Sequence, residues 1–530
     1  MRIIMKTKII VALLFVMVSV AFAQTYVSGA VSGVWDSTGS PYYVTGESYV
    51  PPGESLMVKT GCSVIFQGFY SLVVDTDARF KAIGTLEDSI IFTAEDTVLG
   101  WSQLKFFSTA EGCSLSYCKV LYGEVYSDFS SICVMNCRIK NRSPFGIECE
   151  LDTDTSYIIS NSITSLGCGI KCWHSWPLIA DNLICNNGEE GILCWYSEPS
   201  IENNVITNNS ASGIRCNQSD AVIRNNIIEN NTGDVGGGIS MYYSGPLIES
   251  NYIRNNSADR VGGGIYCTGG RLFNNVISGN YAGEDGGAIC FDSYTNPVLI
   301  NNTITDNTSA DRGGAFYFIR NERFTFINNV IWGNHASWGN EIYLTYVTGS
   351  QCSLFCGNCI IDTANCFKEI GAGGYIWRGS TPYSPPYFSD TLFHLSDSSS
   401  CVDGGCEMII TVWNDTIPCP LIDIEGNTRP FAGGCDIGAY ESPYNYIDEA
   451  NTLNPTDISL STYPNPFNSS VRIFADGGSN FEIFDIDGRC VTELEDKQVW
   501  TPDASLGSGV YLVRVKIGEQ SVTKRIVYLK

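Results

Sequence analysis

The stretch Ile201–Asn231, IENNVITNNSASGIRCNQSDAVIRNNIIENN, repeats itself: Ile201-Glu202-Asn203-Asn204-Val205-Ile206 returns 22 residues later as Ile223-Arg224-Asn225-Asn226-Ile227-Ile228. Working outward, an Asn that precedes a core Ile recurs at Asn136, Asn161, Asn182, Asn204, Asn226, Asn251, Asn275, Asn302, Asn329 and Asn358, in steps of 21 to 29 residues. A second register accompanies it, with Gly-Ile-x-Cys at Gly146, Gly169, Gly191, Gly213 and Gly264, and variants at Gly238, Gly287 and Gly314. Runs this short, alternating with period two, are strands and not helices. Stacked β-coils satisfy the pattern: each strand pairs with its copy one coil away, Ile and Cys at i and i+2 share the inward face, and the Asn marks the turn, where its amide can bond backbone and the next Asn. Leucine-rich repeats have a similar period but need a Leu framework.

The pattern resembles right-handed parallel β-helix proteins, the architecture of pectate lyases and many surface proteins, from Tyr43 to about Leu395. The expected fold class is all-β, a right-handed parallel β-helix of ~22–27-residue coils followed by a small antiparallel β-sandwich. The β-helix with its capping coils occupies 24–395. Residues 396–441, with Cys401-Val402-Asp403-Gly404 and DIEGNTRPFAGGCDIGAYE (423–441), resemble the segment that follows the β-helix in proteins with variable C-terminal anchors, and are expected to close the last coil. A polar linker, 442–462, leads to 463–530.

Both ends carry addresses. Arg2, Lys6 and Lys8, the apolar run Ile9–Val18 and Ala21-Phe22-Ala23 read as a signal peptide over 1–23, cut between Ala23 and Gln24. In 463–530 the strands VRIF, FEIFDIDGRCV, GVYLVRV and TKRIVYL alternate around tight turns. The order YPNPFN (463–468), FDIDGR, LGSGVYLVRV and a Lys-containing last strand closely resembles the type A C-terminal sorting domain of type IX secretion. That resemblance implies passage through outer-membrane machinery of a Gram-negative cell, removal of the domain and display at the surface. No later segment offers ~20 uninterrupted apolar residues for a transmembrane helix.

The chain has 530 residues and a net charge of −25, from 56 acidic against 31 basic residues. Such a field repels phosphate backbones, so nucleic acid is not an expected partner. There are 22 cysteines and three histidines. Cys149, Cys172, Cys194, Cys216, Cys267 and Cys290 fall in one inward column, with Met241 and Tyr317 in the same slot, so they read as buried free thiols. Cys401, Cys406, Cys419 and Cys435 lie in irregular sequence of an exported chain, where disulfides are expected. Cys352-x3-Cys356-x2-Cys359 has an iron–sulfur spacing, but export and the coil register argue for core or disulfide cysteines, with a zinc site as the alternative.

Arg138-Ile139-Lys140 matches one polygalacturonase motif, yet the Gly-His-Gly, Asp-Asp and Asn-Thr-Asp motifs of that family are missing, which rejects that enzyme. Two surface features remain. The loops after Asn226, Asn251, Asn275 and Asn302 lengthen from 9 to 12 or 13 residues, and carry Asp234, Asp259, Glu284 with Asp285, and Asp311. Stacked carboxylates can hold calcium, and Arg260 and Arg312 can neutralise an acidic sugar; the alternative is solvated turns. One residue past the Cys column, Trp173, Trp195, Tyr242, Phe291 and Phe318 are expected to face outward beside Tyr196 and Tyr243. A coil rise of ~4.8 Å is close to the repeat of an extended sugar chain, on which aromatic faces stack; the alternative is strand-favouring aromatics covering their neighbours. The leading functional reading is a non-enzymatic glycan-binding or adhesive surface protein. The alternatives are an extracellular polysaccharide lyase or hydrolase acting on an acidic polymer, and a coat protein with no site.

Overall fold

The computed structural model describes residues 24–443 and 460–530, apart from 143, 153, 293–295, 320–322, 346–352, 358, 363–366, 371–373, 379–383, 411–415 and 432 in the first stretch and 464, 466, 476–479, 486–488, 495–498, 504, 518–519 and 529 in the second. The signal-peptide segment 1–23, most of the linker, and Asn358 and Cys352 lie outside the described residues. Two compact units divide near Tyr446. Among the described residues there is no helix.

The first unit is a parallel β-helix. A representative coil runs from Ser200–Glu202 to Val205–Thr207 and Ile214–Asn217, and each strand pairs in register with its copy in the next coil, at Val222–Arg224, Ile227–Glu229 and Ile239–Tyr242. Alternation puts Ile201, Ile206 and Ile214 inside, and Ile147, Ile170, Ile192 and Ile214 stack as expected, all fully buried. A single apolar cluster runs from Val31 to Ile361.

The turn between the first two strands is held by an asparagine ladder. Each of Asn161, Asn182, Asn204, Asn226, Asn251, Asn275 and Asn302 donates its amide Nδ2 to Oδ1 of the next, at 2.9–3.0 Å. The same Oδ1 atoms accept the backbone N–H of the Asn before them. Buried amides that satisfy one another in this way cost nothing in lost solvation. Cysteines occupy the rung beyond each end: Cys137 N donates to Asn161, and Asn329 lies against Cys359 Sγ. Asn136 is therefore the residue before the rung, in the left-handed region at φ 53°. A second ladder, Asn187–Asn209–Asn231–Asn256–Asn280–Asn307–Asn334 at 2.7–3.1 Å, holds the next turn. It ends on buried Glu341, which accepts both the backbone N–H and the amide of Asn334.

The inward Cys column is real through Cys267, with Met241 in place, but it does not continue to Cys290. Ile265 pairs with Ile289 and Ile289 with Phe316, so Cys290 and Tyr317 align with Tyr266 on the outer face, while Phe291 and Phe318 follow Cys267 into the core. Both phenylalanines are fully buried, contrary to the expected outward column. The repeated element is Gly-Gly-(Gly/Ala)-apolar, whose first glycine holds a positive φ at Gly236, Gly262, Gly286 and Gly313. Aligning on the last glycine shifts the reading by one residue, and one residue reverses the face.

Residues 396–441 do not simply close the last coil. They lie as a strap along the flank, over the asparagine corner: Asn274 donates to Ile422 O, Asn301 to Asp436 O and Gly438 O, and Asn328 to Cys406 O. The second unit is antiparallel, with Leu460–Tyr463, Val471–Ala475 and Val499–Trp500 in one sheet and Phe481–Phe484, Cys490–Leu494, Gly509–Ile517 and Gln520–Tyr528 in the other. Phe467, Trp500, Tyr511 and Tyr528 pack among its inner aliphatics. Asn465 pins the final strand, accepting from Val527 N and donating to Arg525 O.

Candidate functional site

A third corner joins the strand ending at Trp195 to the next strand, and here one residue per coil again takes the left-handed conformation. At the ladder corner these residues are Tyr117, Asn136, Ser160, Asp181, Asn203, Asn225, Ser250, Asn274, Asn301 and Asn328. At the third corner they are Ser108, Phe129, Leu151, His174, Tyr196, Gln218 and Tyr243, with φ between 47° and 53°. Their backbone N–H groups bond the preceding residue of the next coil: His174 N to Trp195 O, Tyr196 N to Asn217 O and Gln218 N to Tyr242 O. Just past the corner a hydroxyl ladder fixes the turn: the backbone N–H groups of Ser175, Ser197, Ser219 and Ser244 each donate to the hydroxyl oxygen of the next coil, the last to Thr268 Oγ1. Earlier along the same corner, buried Asp152 accepts Ser127 and Ser156 hydroxyls, and burial pushes its carboxyl up to about 7.

These backbones aim bulky side chains outward. Tyr243 is 81% exposed, Tyr196 47%, Phe129 45% and the neighbouring Trp195 40%. Trp173 and Trp195 pair across adjacent coils, and His174 stacks on Tyr196 at 5.0 Å and 5°, with Trp173 5.2 Å from His174. An open depression of about 430 Å³ beside them is lined by Glu198, Gln218, Asp220 and Tyr243. So Trp173, Trp195, Tyr196 and Tyr243 come together, joined by His174, Glu198, Gln218 and Asp220, which sequence reasoning passed over. Their signal was available: each follows the Trp173–Trp195 column at the coil period. Tyr242 continues that column but leans the other way, 5.1 Å from Tyr266 and 5.5 Å from Arg215. Phe291, being in the core, takes no part.

The lengthened loops build a small parallel sheet of their own, Thr232–Val235, Ser257–Val261, Tyr281–Ala282 and Thr308–Ser309. Their acids meet arginines from the next coil. Asp234 holds Arg260 bidentately at 2.9 Å, which lowers its pKa. Asp285 holds Arg312 at 2.8 and 2.7 Å; burial raises that carboxyl in spite of the guanidinium. Asp311 reaches Arg312 at 3.2 Å, and Arg312 lies over the Tyr317 ring. Asp259 is exposed. Among the described residues no three His, Cys, Asp or Glu side chains gather as a cation site. Ile139 is inward while Arg138 and Lys140 are exposed, in keeping with a strand pattern in place of a catalytic motif.

Residues 106–282 match the family model described as right handed beta helix region, and 461–529 match the secretion system C-terminal sorting domain. No curated protein matched the chain. Among solved structures, the periplasmic alginate epimerase AlgG is similar at 14% identity, covering 55% of this chain and 77% of its own, with a TM-score of 0.27. The Dettilon tailspike protein follows at 13% identity, covering 62% of each chain, with a TM-score of 0.26. A tailspike protein of Acinetobacter baumannii bacteriophage Fri1, a capsular polysaccharide depolymerase, is 10% identical, covering 89% of this chain and 73% of its own, with a TM-score of 0.23. At these identities such likenesses assign no activity. In the described residues no helix is long and apolar enough to cross a membrane. The chain is thus a right-handed parallel β-helix protein carrying a type IX secretion sorting domain, which makes it a secreted or cell-surface protein.

Proposed function

We propose that the protein is a non-enzymatic glycan-binding or adhesive module, with Trp173, His174, Trp195, Tyr196 and Tyr243 as its stacking platform. One observation carries this reading: bulky side chains hold left-handed backbones at an exposed corner. Left-handed conformations suit Gly, Asn and Asp and disfavour bulky residues, and a residue held there against preference marks a site where the strain serves something. Except at Tyr117, the ladder corner makes the same turn with Asn, Asp and Ser. A turn alone does not ask for Tyr or His. Rings repeating at ~4.8 Å suit an extended sugar chain, and Glu198, Gln218 and Asp220 supply partners for its hydroxyls.

Retention on immobilised polysaccharides, with and without Ca²⁺, tests the proposal and a calcium role for Asp234, Asp259, Asp285 and Asp311. Retention without cleavage supports it; new reducing ends or unsaturated sugars would replace it with the lyase or hydrolase reading, and no retention on any polymer removes the platform. Calcium-dependent retention supports the calcium role. Removal of 1–23 between Ala23 and Gln24, loss of the sorting domain and surface attachment in a Gram-negative cell belong to the same proposal. Deleting 463–530 should leave the protein in the periplasm, and continued display would count against it.

A further inference from the structure

A short loop just ahead of the strap turns back and grips it. An antiparallel bridge between Phe388 and Leu395 and a bond from Ser389 N to His394 O close the loop. Within it, Asp390 takes the N–H groups of Leu392 and His394 on Oδ1 and offers Oδ2 to the His394 ring, the local capping chemistry of Asp in a turn. The loop meets the strap at two points. Tyr440 OH donates to Leu392 O at 2.7 Å, and Tyr252 of the β-helix stands 3.3 Å from the same hydroxyl. His394 lies against the Tyr440 ring, 4.3 Å between centroids, and its Nε2 meets Glu425 Oε1 at 3.0 Å. Glu425 sits in a tight turn tied by Asp423, which accepts the N–H groups of Glu425 and Asn427. Just before that turn, Ile422 O accepts the Asn274 amide. A fastening at Glu425 therefore holds the strap turn down on the asparagine corner.

Both ring nitrogens of His394 face carboxylates, Nδ1 at 2.6 Å from Asp390 and Nε2 at 3.0 Å from Glu425. A carboxylate only accepts, so the two contacts together require an N–H on each nitrogen, which is the imidazolium. A neutral ring has one N–H. It stays on Nδ1, where Asp390 is nearer and belongs to the same loop, and the bare Nε2 lone pair then points at Glu425. Loss of one proton turns the contact between loop and strap from attraction to repulsion.

We infer that His394 is a pH-sensitive clasp, fastening the strap turn through Glu425 when the ring is protonated and letting it go when the ring is neutral. A cavity of about 390 Å³ beside it, bounded by Asn427, Phe431 and Ser442, gives solvent protons access to the ring. Burial disfavours the charged ring, but Asp390 and Glu425 outweigh it and raise the pKa above the usual 6.5. The seated strap thus binds this proton more tightly than the open one. The clasp is full below about pH 6.5 and is lost as pH rises through the raised value. Other groups surround the ring. Burial pushes the Tyr440 and Tyr252 hydroxyls up, so both stay neutral in this window, and Arg254 near Tyr252 is paired with Glu229. Glu441, beside Arg429, and Asp436 are raised by burial, so they too favour the seated strap in acid.

For that reason the test reads His394 itself. In the full chain with isotopically labelled histidine, ring carbon–proton signals report the three histidines separately, and His394→Gln identifies one of them. The expected midpoint lies above 6.5 and falls in Glu425→Gln. A midpoint at or below 6.5, or one that Glu425→Gln leaves in place, would overturn the clasp. Hydrogen exchange over 422–441, corrected for intrinsic rates and referenced to the coil of Ile201–Asn231, reads the consequence. Between about pH 6 and pH 9, protection should fall at least about threefold more in wild type than in His394→Gln, following the midpoint of His394. The fall common to both belongs to Asp436 and Glu441. Identical profiles in the two proteins would overturn control of the strap by this proton.

Discussion

The asparagine corner and the aromatic corner make the same backbone turn, once per coil, with the same left-handed residue. At the first, Asn, Asp and Ser occupy the left-handed position in every coil after that of Tyr117, a buried amide ladder follows, and the strap covers the outside of the later coils. At the second, Phe, Leu, His, Tyr and Gln take the left-handed position, a hydroxyl ladder follows, and the rings stand in solvent. Apart from Tyr117 at the first and Ser108 at the second, one corner is built from small polar residues that take the conformation readily, the other from larger residues that resist it. The difference teaches where selection for stability stops being the whole explanation of a repeat.

The largest effect that sharpens this contrast is expected at the ladder. Asn204→Ala removes the acceptor of Asn182 N and Nδ2 and the donor to Ile179 O and Asn226. Each buried group left unpaired costs about 1–3 kcal/mol, so denaturant unfolding should register a loss of about 3–5 kcal/mol. Core Ile192→Ala belongs in the same range, about 2–5 kcal/mol. A ladder variant as stable as wild type would break the comparison.

Next is the aromatic corner. Trp173→Ala/Trp195→Ala should weaken glycan retention at least about tenfold, an aromatic contact being worth about 0.5–1.5 kcal/mol beyond its area. Its unfolding midpoint should move little, because exposed changes stay within about 0.5 kcal/mol. A double variant that binds normally but melts like Ile192→Ala makes the column structural. Smaller, and of opposite sign for stability, is Tyr196→Asn/Tyr243→Asn, which gives this corner the chemistry of the other. Relief of the left-handed backbone should stabilise by about 0.5–1 kcal/mol while retention falls. Destabilisation would mean the rings, not the hydroxyl ladder, hold the turn.

The smallest expected effect is in pH. Burial raises Asp152 and Asp436 to about 7 and Glu341 to about 8, above their unfolded values near 4. Between those limits the native state binds more protons than the unfolded chain, so this contribution is full below about pH 4 and is lost as pH rises through 7 to 8. Melting temperature should therefore fall from pH 6 to pH 9, less steeply in Glu341→Gln, which takes the ladder's end out of the titration. Equal slopes would show that the ladder end does not titrate in this window.

Much of this could be read from the chain. The Asn anchors from Asn161 to Asn329, the inward Ile column and the sorting-domain motifs were legible because in a solenoid every coil faces a copy of itself, so packing constraints recur as sequence periods. The second asparagine ladder recurs at the same steps and was equally available. Phe291 was misplaced because two adjacent glycines offer two alignments, and only the one that puts positive φ on Gly286 and Gly313 keeps the pairing. The alternation Ile289, Phe291 and Phe316, Phe318 could have settled it. Of the candidate platform, Trp173, Trp195, Tyr196 and Tyr243 were legible as a column, and His174, Glu198 and Asp220 recur at the same period, while the stacking of His174 on Tyr196 and the depression lined by Glu198 and Asp220 came from the structure.

By itself, then, the sequence determined the repeat, the inward face and the export address, since local alternation and period are imposed by the strand itself. It took the tertiary structure to decide which side of the helix the strap covers and that Asp234 and Asp285 meet Arg260 and Arg312. The strap contacts join residues with no common period, reaching asparagines up to 148 positions away, whereas the Asp–Arg pairs lie 26 and 27 residues apart, at the coil period, and needed the loop geometry to bring the side chains together. Backbone handedness at the aromatic corner also came from the structure, because its bulky residues disfavour it and the conformation is forced by pairing with the neighbouring coils.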